Sequence, residues 1–475
     1  MPILGFIVYF GCVIAFIRAV SRDFRRGLCV AVTVFVIMPQ TLKIKLLGLA
    51  DLSIHRLVLL LLLPFLPRLF RECPDWRRTP FLSALLALAG SQVLSLVLSV
   101  DVGLSLKHFL SFFCEILLFY VIVSMSIRDR DDVANLIRAA CRGLVIVAIL
   151  AAIEKYSYFD VYAALTGMQK EGIAWGVTAT YPHRILLGYA MAMALPLMLV
   201  LTDWAAKGRP RLLAWLALIA VVAACYYATS RGPWLAAALA GVGMMVLSGG
   251  KFVRKLAIIA GLAAVVCIVR PGVWQTIFGL SNQTFQAGTL KASSYNYRWK
   301  LWHVALAEIE KSPARLLFGY GGQSTETMDL SGYFGHEEGG LAITIGFTSW
   351  DNNMACDLIE YGIVGFTIQM LIYLYVIRRL LSDWHRAEGA LRELMAAIAA
   401  YILVYVFALS NVYIFAPQLN YLFWILAALG IAASRLWPAP GVNPAAELES
   451  AENPPAGGMA ATAVNDTTAP GRMLR

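Results

Sequence analysis

Long apolar runs follow one another along almost the whole chain, and this feature limits the possible folds most severely. A helix needs roughly 20 mostly apolar residues to cross a bilayer, and about thirteen stretches here approach that length. Charged residues make up only 14% of the 475 residues, whereas soluble domains contain about 25%. The sequence therefore predicts an all-α, polytopic helical membrane protein with about 12–13 transmembrane helices.

The predicted membrane domain covers residues 1–437, and residues 438–475 form a tail. The tail is rich in Pro, Ala, Gly, Asn and Thr without apolar periodicity, so we expect it to be disordered and cytoplasmic. The predicted spans are 3–17, 28–48, 54–70, 80–100, 105–127, 143–158, 184–202, 212–229, 233–248, 254–271, 354–377, 394–415 and 418–436.

Basic residues cluster in alternate loops, which predicts the orientation of the chain. The positive-inside rule places loops rich in Lys and Arg in the cytoplasm. The basic loops lie near residues 18–26, 68–78, 128–138, 207–211, 251–255 and 378–392. This arrangement accounts for the net charge of +10, and we expect no nucleic-acid partner.

The remaining loops then face the periplasm, and one of them is long. It covers residues 272–353, and a loop of about 80 residues is rarely a plain connector. Within it, Tyr295 to Ile309 reads as a helix with an apolar stripe of Trp299, Trp302, Leu306 and Ile309, which suggests a helix lying in the membrane interface. Arg298 and Lys300 flank that stripe, either as simple anchors or as ligands of lipid phosphates.

Several cations on the periplasmic side are not explained by topology. Arg231 lies with Ser230 in a very short turn, where its guanidinium serves either as an interfacial anchor or to bind a diphosphate. Arg184 follows His183 at the start of another span, with the same two interpretations. Lys107 is a further outer cation of this kind, and Lys43, Lys45 and Arg56 are weaker candidates.

Carboxylates stand at the exit of the long loop. Asp351, followed by Asn352, immediately precedes a span, so it acts either in capping that helix or as a catalytic base. Asp357 and Glu360 are spaced i, i+3 and share one helix face within the membrane boundary, where acids are costly and usually functional.

Metal and cofactor motifs do not stand out in this sequence. The 8 cysteines are scattered singly, and no Cys-x-x-Cys occurs. No pair of aspartates separated by one residue lies on the predicted outer side, and the P-loop and nucleophile-elbow motifs are missing. We therefore expect neither a metal nor a cofactor.

Four stretches together resemble the O-antigen ligase and polymerase superfamily of bacterial membrane proteins. They are Tyr-Pro-His-Arg-Ile-Leu-Leu-Gly-Tyr at 181–189, Thr-Ser-Arg-Gly-Pro-Trp-Leu-Ala at 229–236, Tyr-Arg-Trp-Lys-Leu-Trp at 297–302 with Phe-Gly-Tyr-Gly at 318–321, and Asp-Asn-Asn-Met at 351–354 with Glu-Tyr-Gly-Ile-Val-Gly at 360–365. Ligases of this superfamily usually carry a histidine at the position that Asp351 occupies, so the polymerase and exopolysaccharide activities stay open beside the ligase activity.

The resemblance implies a glycosyltransferase in the bacterial inner membrane. Such an enzyme moves a glycan from undecaprenyl diphosphate to a hydroxyl of a glycan or of the lipid A core on the periplasmic face, in contact with membrane lipid. On this interpretation Arg231 and Arg298 stabilise the diphosphate and Asp351 is the base. The substrate-binding residues are Arg184, His183, Ser230, Lys300 and Asn352. A transporter or flippase of lipid-linked glycans, and a structural scaffold, are the alternatives.

Overall fold

The chain is described in a computed structural model over residues 2–46, 50–73, 79–168, 176–248, 250, 252–269, 290–333, 350–414 and 416–436. The predicted tail, and residues 270–289 and 334–349 of the long loop, lie outside this part. The helices are α1 Ile3–Arg22, α2 Phe24–Ile37, α3 Ile54–Leu62, α4 Leu66–Glu72, α5 Leu82–Val97, α6 Val102–Ser111, α7 Phe119–Ser126, α8 Arg130–Ser157, α9 Val161–Thr166, α10 Arg184–Trp204, α11 Arg209–Tyr227, α12 Arg231–Leu247, α13 Val253–Val269, α14 Leu290–Ile309, α15 Pro313–Phe318, α16 Asn353–Arg386, α17 Gly389–Leu409 and α18 Pro417–Leu436.

The polytopic all-α class is confirmed. Among the described residues, eight helical segments are long and apolar enough to cross a membrane, and α5 and α12 are shorter apolar helices. One of the eight is continuous from α6 to α7, because the π-helical segment Phe112–Leu118 joins them.

The predicted span 28–48 is wrong in its second half. Helix α2 ends at Ile37, because Pro39 disfavours the helical conformation of Met38, which is extended with φ −82° and ψ 136°. The chain then forms an antiparallel hairpin of strand β1 (Lys43–Leu46) and strand β2 (Ala50–Ser53), with Lys43 opposite Ser53. Window-averaged hydropathy does not detect such a short hairpin.

Loops that the charge pattern assigns to one side of the membrane contact each other. At one end of the bundle, Gln418 donates to the carbonyl of Thr180 at 3.5 Å, and Thr41 bonds Tyr162 at 2.9 Å. We call this the site end, since α10, α12 and α16 begin there. At the opposite end, Lys255 pairs with Asp203 at 2.6 Å.

Helix α16 is broken at Gly362, and the glycine-rich segment after α15 fills the break. Gly362 has φ 62° and ψ −172°, so the helical hydrogen bonds around it are interrupted. Backbone N–H groups of Tyr320 and Gly321 donate at 3.0 Å to the carbonyls of Ile359 and Glu360. Because polar backbone is costly in a membrane unless it is bonded, this crossing stabilises the break.

The approach of the two segments is close enough to require glycine on both. A Cβ on Gly319 would lie 2.4 Å from the carbonyl oxygen of Ile359, and one on Gly362 would lie 2.5 Å from the Leu317 backbone. Both glycines also have positive φ angles, of 72° and 62°. The spacing of these two motifs thus fixes the long loop against α16.

The predicted loop helix is confirmed as part of α14, but its buried face differs from the predicted stripe. Leu301, Val304 and Ala305 are buried in a cluster with Ile359 and other α16 residues. Trp299 is 56% exposed, and of the predicted stripe only Ile309 is fully buried. Packing on α16 therefore decides the orientation of α14, and Trp299 faces away from the protein core.

Candidate functional site

Arg298 and Asp351 come together at the site end. The Arg298 Nε donates to the Asp351 carbonyl oxygen at 3.3 Å, and its Nη2 lies 3.7 Å from the Asp351 carboxylate. Both side chains are partly exposed. The α14–α16 packing places them, because Arg298 lies at the edge of the buried α14 face and Asp351 lies just before α16. The structure thus joins two predicted catalytic residues that are 53 positions apart in the chain.

Arg184 binds the turn that carries Arg231. Its Nη1 donates to the side-chain oxygen of Thr229 at 2.9 Å and to the Thr229 carbonyl at 3.3 Å. Thr229 has a φ of 46°, which is strained for a β-branched residue. Since Ser230 and Arg231 follow directly, the first residue of α10 fixes the first turn of α12.

Arg231 and Arg298 are close enough to repel each other electrostatically. Tyr189, on α10, lies beside the same turn, because a Cβ on Gly232 would be 2.6 Å from the Tyr189 hydroxyl. Below it, a Cβ on Gly188 would be 2.6 Å from Pro233, so α10 and α12 cross in close contact. Two guanidinium groups therefore lie near each other, with the Asp351 carboxylate beside Arg298. A concentration of guanidinium groups favours an anion.

His183 completes this group, which we call the arginine cluster: His183, Arg184, Arg231, Arg298 and Asp351. Burial, and then the Arg184 charge, lower the pKa of His183 below its ordinary value of 6.5, while the Asp351 charge opposes that shift. His183 is the N-cap of α10, and its Nδ1 accepts from the Ile185 N–H at 3.2 Å. The ring is then neutral at pH 7 with its proton on Nε2, because Nδ1 acts as an acceptor.

A buried carboxylate that the sequence pattern does not reveal binds the segment that leads to His183. Glu154, near the end of α8, accepts from the Ala179 N–H at 2.8 Å and from the Thr178 N–H at 3.0 Å. Ala179 has a φ of 50°, so the carboxylate holds a strained backbone segment. In the sequence Glu154 looks like an ordinary charge at the end of a span, and only the fold shows its partners.

The other predicted site residues differ in their hydrogen bonds and in their burial. Ser230 is the N-cap of α12, but its side chain makes no capping hydrogen bond. Asn352 is buried and its side-chain oxygen caps α16 by accepting from the Ala355 N–H at 3.1 Å. Lys300 lies on the exposed side of α14. The capping role that the sequence allowed for Asp351 therefore belongs to Asn352.

The two intramembrane acids are buried and point to separate partners. Asp357 accepts from the amides of Asn353 at 2.7 Å and Gln369 at 3.0 Å. Glu360 accepts from the Thr325 hydroxyl at 2.7 Å. Both acids line one polar cavity inside the bundle, and Glu360 also ties α16 to the long loop. Among the described residues no group of three or more His, Cys, Asp or Glu side chains has a metal-binding arrangement.

Comparison with known families identifies a match inside the chain. Residues 212–370 match the family described as O-antigen ligase. The matched segment includes Arg231, Arg298 and Asp351, and it begins after His183 and Arg184. No curated protein matches the chain. The family match confirms the resemblance to the O-antigen ligase and polymerase superfamily.

Proposed function

We propose that this chain, with its O-antigen ligase segment at residues 212–370, is a glycosyltransferase that uses a polyprenyl-diphosphate-linked glycan. The enzyme would transfer the glycan from undecaprenyl diphosphate to an acceptor hydroxyl, on the periplasmic face of the bacterial inner membrane. The product is a surface polysaccharide, extended by a polymerase or attached by a ligase.

One observation carries this proposal: three arginines from separate segments meet at the site end, with Arg184 bound to the turn before Arg231 and Arg298 beside the Asp351 carboxylate. Arg184 and Arg231 begin two helices, and Arg298 arrives on the long loop. Diphosphate is a leaving group whose negative charge grows as the anomeric bond breaks. Guanidinium groups stabilise that charge through forked hydrogen bonds, and they do so better in a partly buried site than in water.

Asp351 is the proposed base for the acceptor. Its carboxylate lies 3.7 Å from Arg298, so a hydroxyl bound to it would stand next to the diphosphate site. The hydroxyl oxygen attacks the anomeric carbon as the diphosphate oxygen leaves, and Asp351 takes the hydroxyl proton. Attack from the side opposite the diphosphate inverts the anomeric configuration.

His183 has a supporting part in this scheme. Because its Nδ1 accepts from the α10 backbone, its Nε2–H is a neutral donor beside the cluster. A neutral donor can bond a phosphate or sugar oxygen without adding a fourth full positive charge. Ser230 and Lys300 are proposed to contact the glycan or the diphosphate from the α12 turn and from α14.

Replacing the arginines tests the proposal. In purified protein, Arg231→Ala and Arg298→Ala should each lower glycan transfer by about 10²–10³-fold, the size expected when a group that stabilises developing charge is removed. Lys207→Ala, which removes an exposed cation on the loop before α11, is the matched control and should retain activity. Thermal unfolding of each variant checks that the fold is kept.

Full transfer activity in both arginine variants would contradict this scheme and favour a scaffold. Protein-dependent movement of intact lipid-linked glycan across a bilayer, without release of polyprenyl diphosphate, would instead indicate a transporter.

A further inference from the structure

A second set of cavities opens at the site end, and it is made by residues outside the arginine cluster. It has three adjacent parts: a groove of about 870 Å³, a vestibule of about 500 Å³ and an inner chamber of about 130 Å³. The groove and vestibule share Arg56, Lys107 and Glu115, and the vestibule and chamber share His108 and Asn420. One ligand could therefore occupy all three.

The groove is lined mainly by leucines. They come from α3 and the 3₁₀ turn after it, and from α6 with the π-helical segment: Leu59, Leu60, Leu63, Leu106, Leu110 and Leu118. Leu60 and Leu110 are about half exposed, so the groove opens on the surface that would face lipid. A concave apolar surface of this volume fits a hydrocarbon chain.

The charged residues that line both the groove and the vestibule include one more cation than carboxylate. Three cations and two carboxylates line both cavities: Lys43, Arg56, Lys107, Asp51 and Glu115. Arg56 pairs with Glu115 at 2.6 Å, and Lys43 pairs with Asp51. Lys107 is exposed and forms no ion pair within the described part of the chain. Glu326 and His108 also face the vestibule, away from the groove. An anionic group at the groove mouth would complement Lys107.

The inner chamber presents amide, carboxyl and phenol groups. Asp357 and Gln369 line it, together with Asn420 and Tyr373. Gln92 also lines it and is only 7% exposed, yet its Oε1 has no hydrogen-bond partner among the described residues. A buried unpartnered carbonyl is costly, and a hydroxyl donor from a ligand would satisfy it. Such groups, in a buried chamber, suit the hydroxyls of a sugar.

The π-helical segment Phe112–Leu118 forms a wall common to all three parts. Phe112 and Ile116 face the chamber and vestibule, Glu115 faces the vestibule and groove, and Leu118 faces the groove. π-Helical turns are rare and occur frequently at functional sites. This wall therefore has a local backbone irregularity of the kind that accompanies binding sites.

We propose that this cavity system is a second amphiphile site that binds the acceptor as a lipid-linked saccharide. The lipid chain lies in the groove, an anionic link lies beside Lys107, and the sugar enters the chamber. The identity of this ligand as the acceptor rests on the glycosyltransferase function proposed above. Asn353 lines the chamber and is two residues from Asp351. Helix α16, which lines this site, therefore begins next to the proposed base.

Binding to the purified full-length protein in nanodiscs tests this inference. The probe is a fluorescent undecaprenyl-monophosphate-linked hexose. Leu110→Trp, which fills the groove, should weaken binding at least about tenfold, and Lys107→Ala should weaken it about fivefold. The controls are Leu216→Trp, since Leu216 and Leu110 are both 51% exposed, and Lys207→Ala. Both controls should bind the probe as the wild type does.

Two results would overturn the inference. One is unchanged probe binding in Leu110→Trp. The other is equal displacement of the probe by phosphatidylglycerol, which would indicate an ordinary lipid site without sugar recognition. Gln92→Leu separates a ligand role from a structural one. It should weaken probe binding without lowering the unfolding temperature, because the wild-type Oε1 has no described partner.

The inference and the proposed function can fail separately. If Arg231→Ala abolishes transfer while Leu110→Trp leaves the acceptor KM unchanged, the transferase stands and the second site is wrong. If the probe binds in the groove but no glycan transfer occurs with any acceptor, the amphiphile site stands and the transferase is wrong.

Discussion

Replacing Glu154 by Gln should lower activity although Glu154 lies outside the proposed chemistry. The carboxylate accepts from the N–H groups of Thr178 and Ala179, with one bond to each oxygen. Glutamine keeps one acceptor oxygen and puts an NH₂ group where the second oxygen was. One buried N–H then loses its partner, and the strained Ala179 loses its restraint.

The size of the effect follows from that single lost bond. Leaving a buried donor unsatisfied costs about 1–3 kcal/mol. Since about 1.4 kcal/mol is tenfold in an equilibrium, the equilibrium constant that favours the native arrangement of residues 176–183 would fall roughly 5- to 150-fold. His183 and Arg184 follow this segment directly, so transfer should fall by up to that factor.

The assay compares initial rates of glycan transfer with the unfolding temperatures of the same preparations. Lys155→Ala is the matched control, because Lys155 is the next residue on α8 and is exposed. Unchanged transfer in Glu154→Gln would refute the claim that this carboxylate positions the arginine cluster. A loss of transfer that follows a general loss of folded protein would refute it equally.

Three further predictions concern α16, the His183 ring and the base. Gly362→Ala should lower the free energy of unfolding by roughly 2–5 kcal/mol, because its φ is strained and its Cβ would lie 2.5 Å from Leu317. Gly90→Ala, whose Cβ would meet no atom within 4 Å, should be tolerated in the same unfolding assay. The pKa of His183 is lowered in the folded state, so the unfolded state binds more protons and the free energy of unfolding should fall as the pH drops below 6.5. The His183→Gln variant should lose less free energy of unfolding than the wild type between pH 7.5 and 5. Asp351→Asn should lower transfer about 10²–10⁴-fold without weakening donor binding comparably; an unchanged rate would exclude Asp351 as base.

Hydropathy and charge are enough to predict the helical fold and the grouping of its loops. The apolar run before Arg231 and the basic loops on the other side place the Ser230–Arg231 turn at the same end as the long loop. The contacts between Arg184 and Thr229, and between Arg298 and Asp351, agree with that grouping. The grouping of loops is predictable because the cost of burying charge in lipid acts locally along the chain.

Contacts between distant segments were not predictable in the same way. Glu154 and Glu115 look alike in sequence, since each is a single acid in an apolar stretch. In the fold, Glu154 accepts a hydrogen bond from a loop N–H group, whereas Glu115 pairs with Arg56. The face of α14 that packs on α16 was also not predicted, because an apolar stripe does not tell lipid from protein as its partner. Such pairings depend on tertiary packing, for which one sequence carries no periodic signal.

Incubation of the purified protein with a polyprenyl-diphosphate oligosaccharide and an acceptor tests the central claim most directly. We predict one polyprenyl diphosphate released for each new glycosidic bond, with a release rate about 10²–10³-fold lower in Arg231→Ala than in the wild type or in Lys207→Ala. Release that is equal in Arg231→Ala and the wild type, or no release with any acceptor, would contradict it.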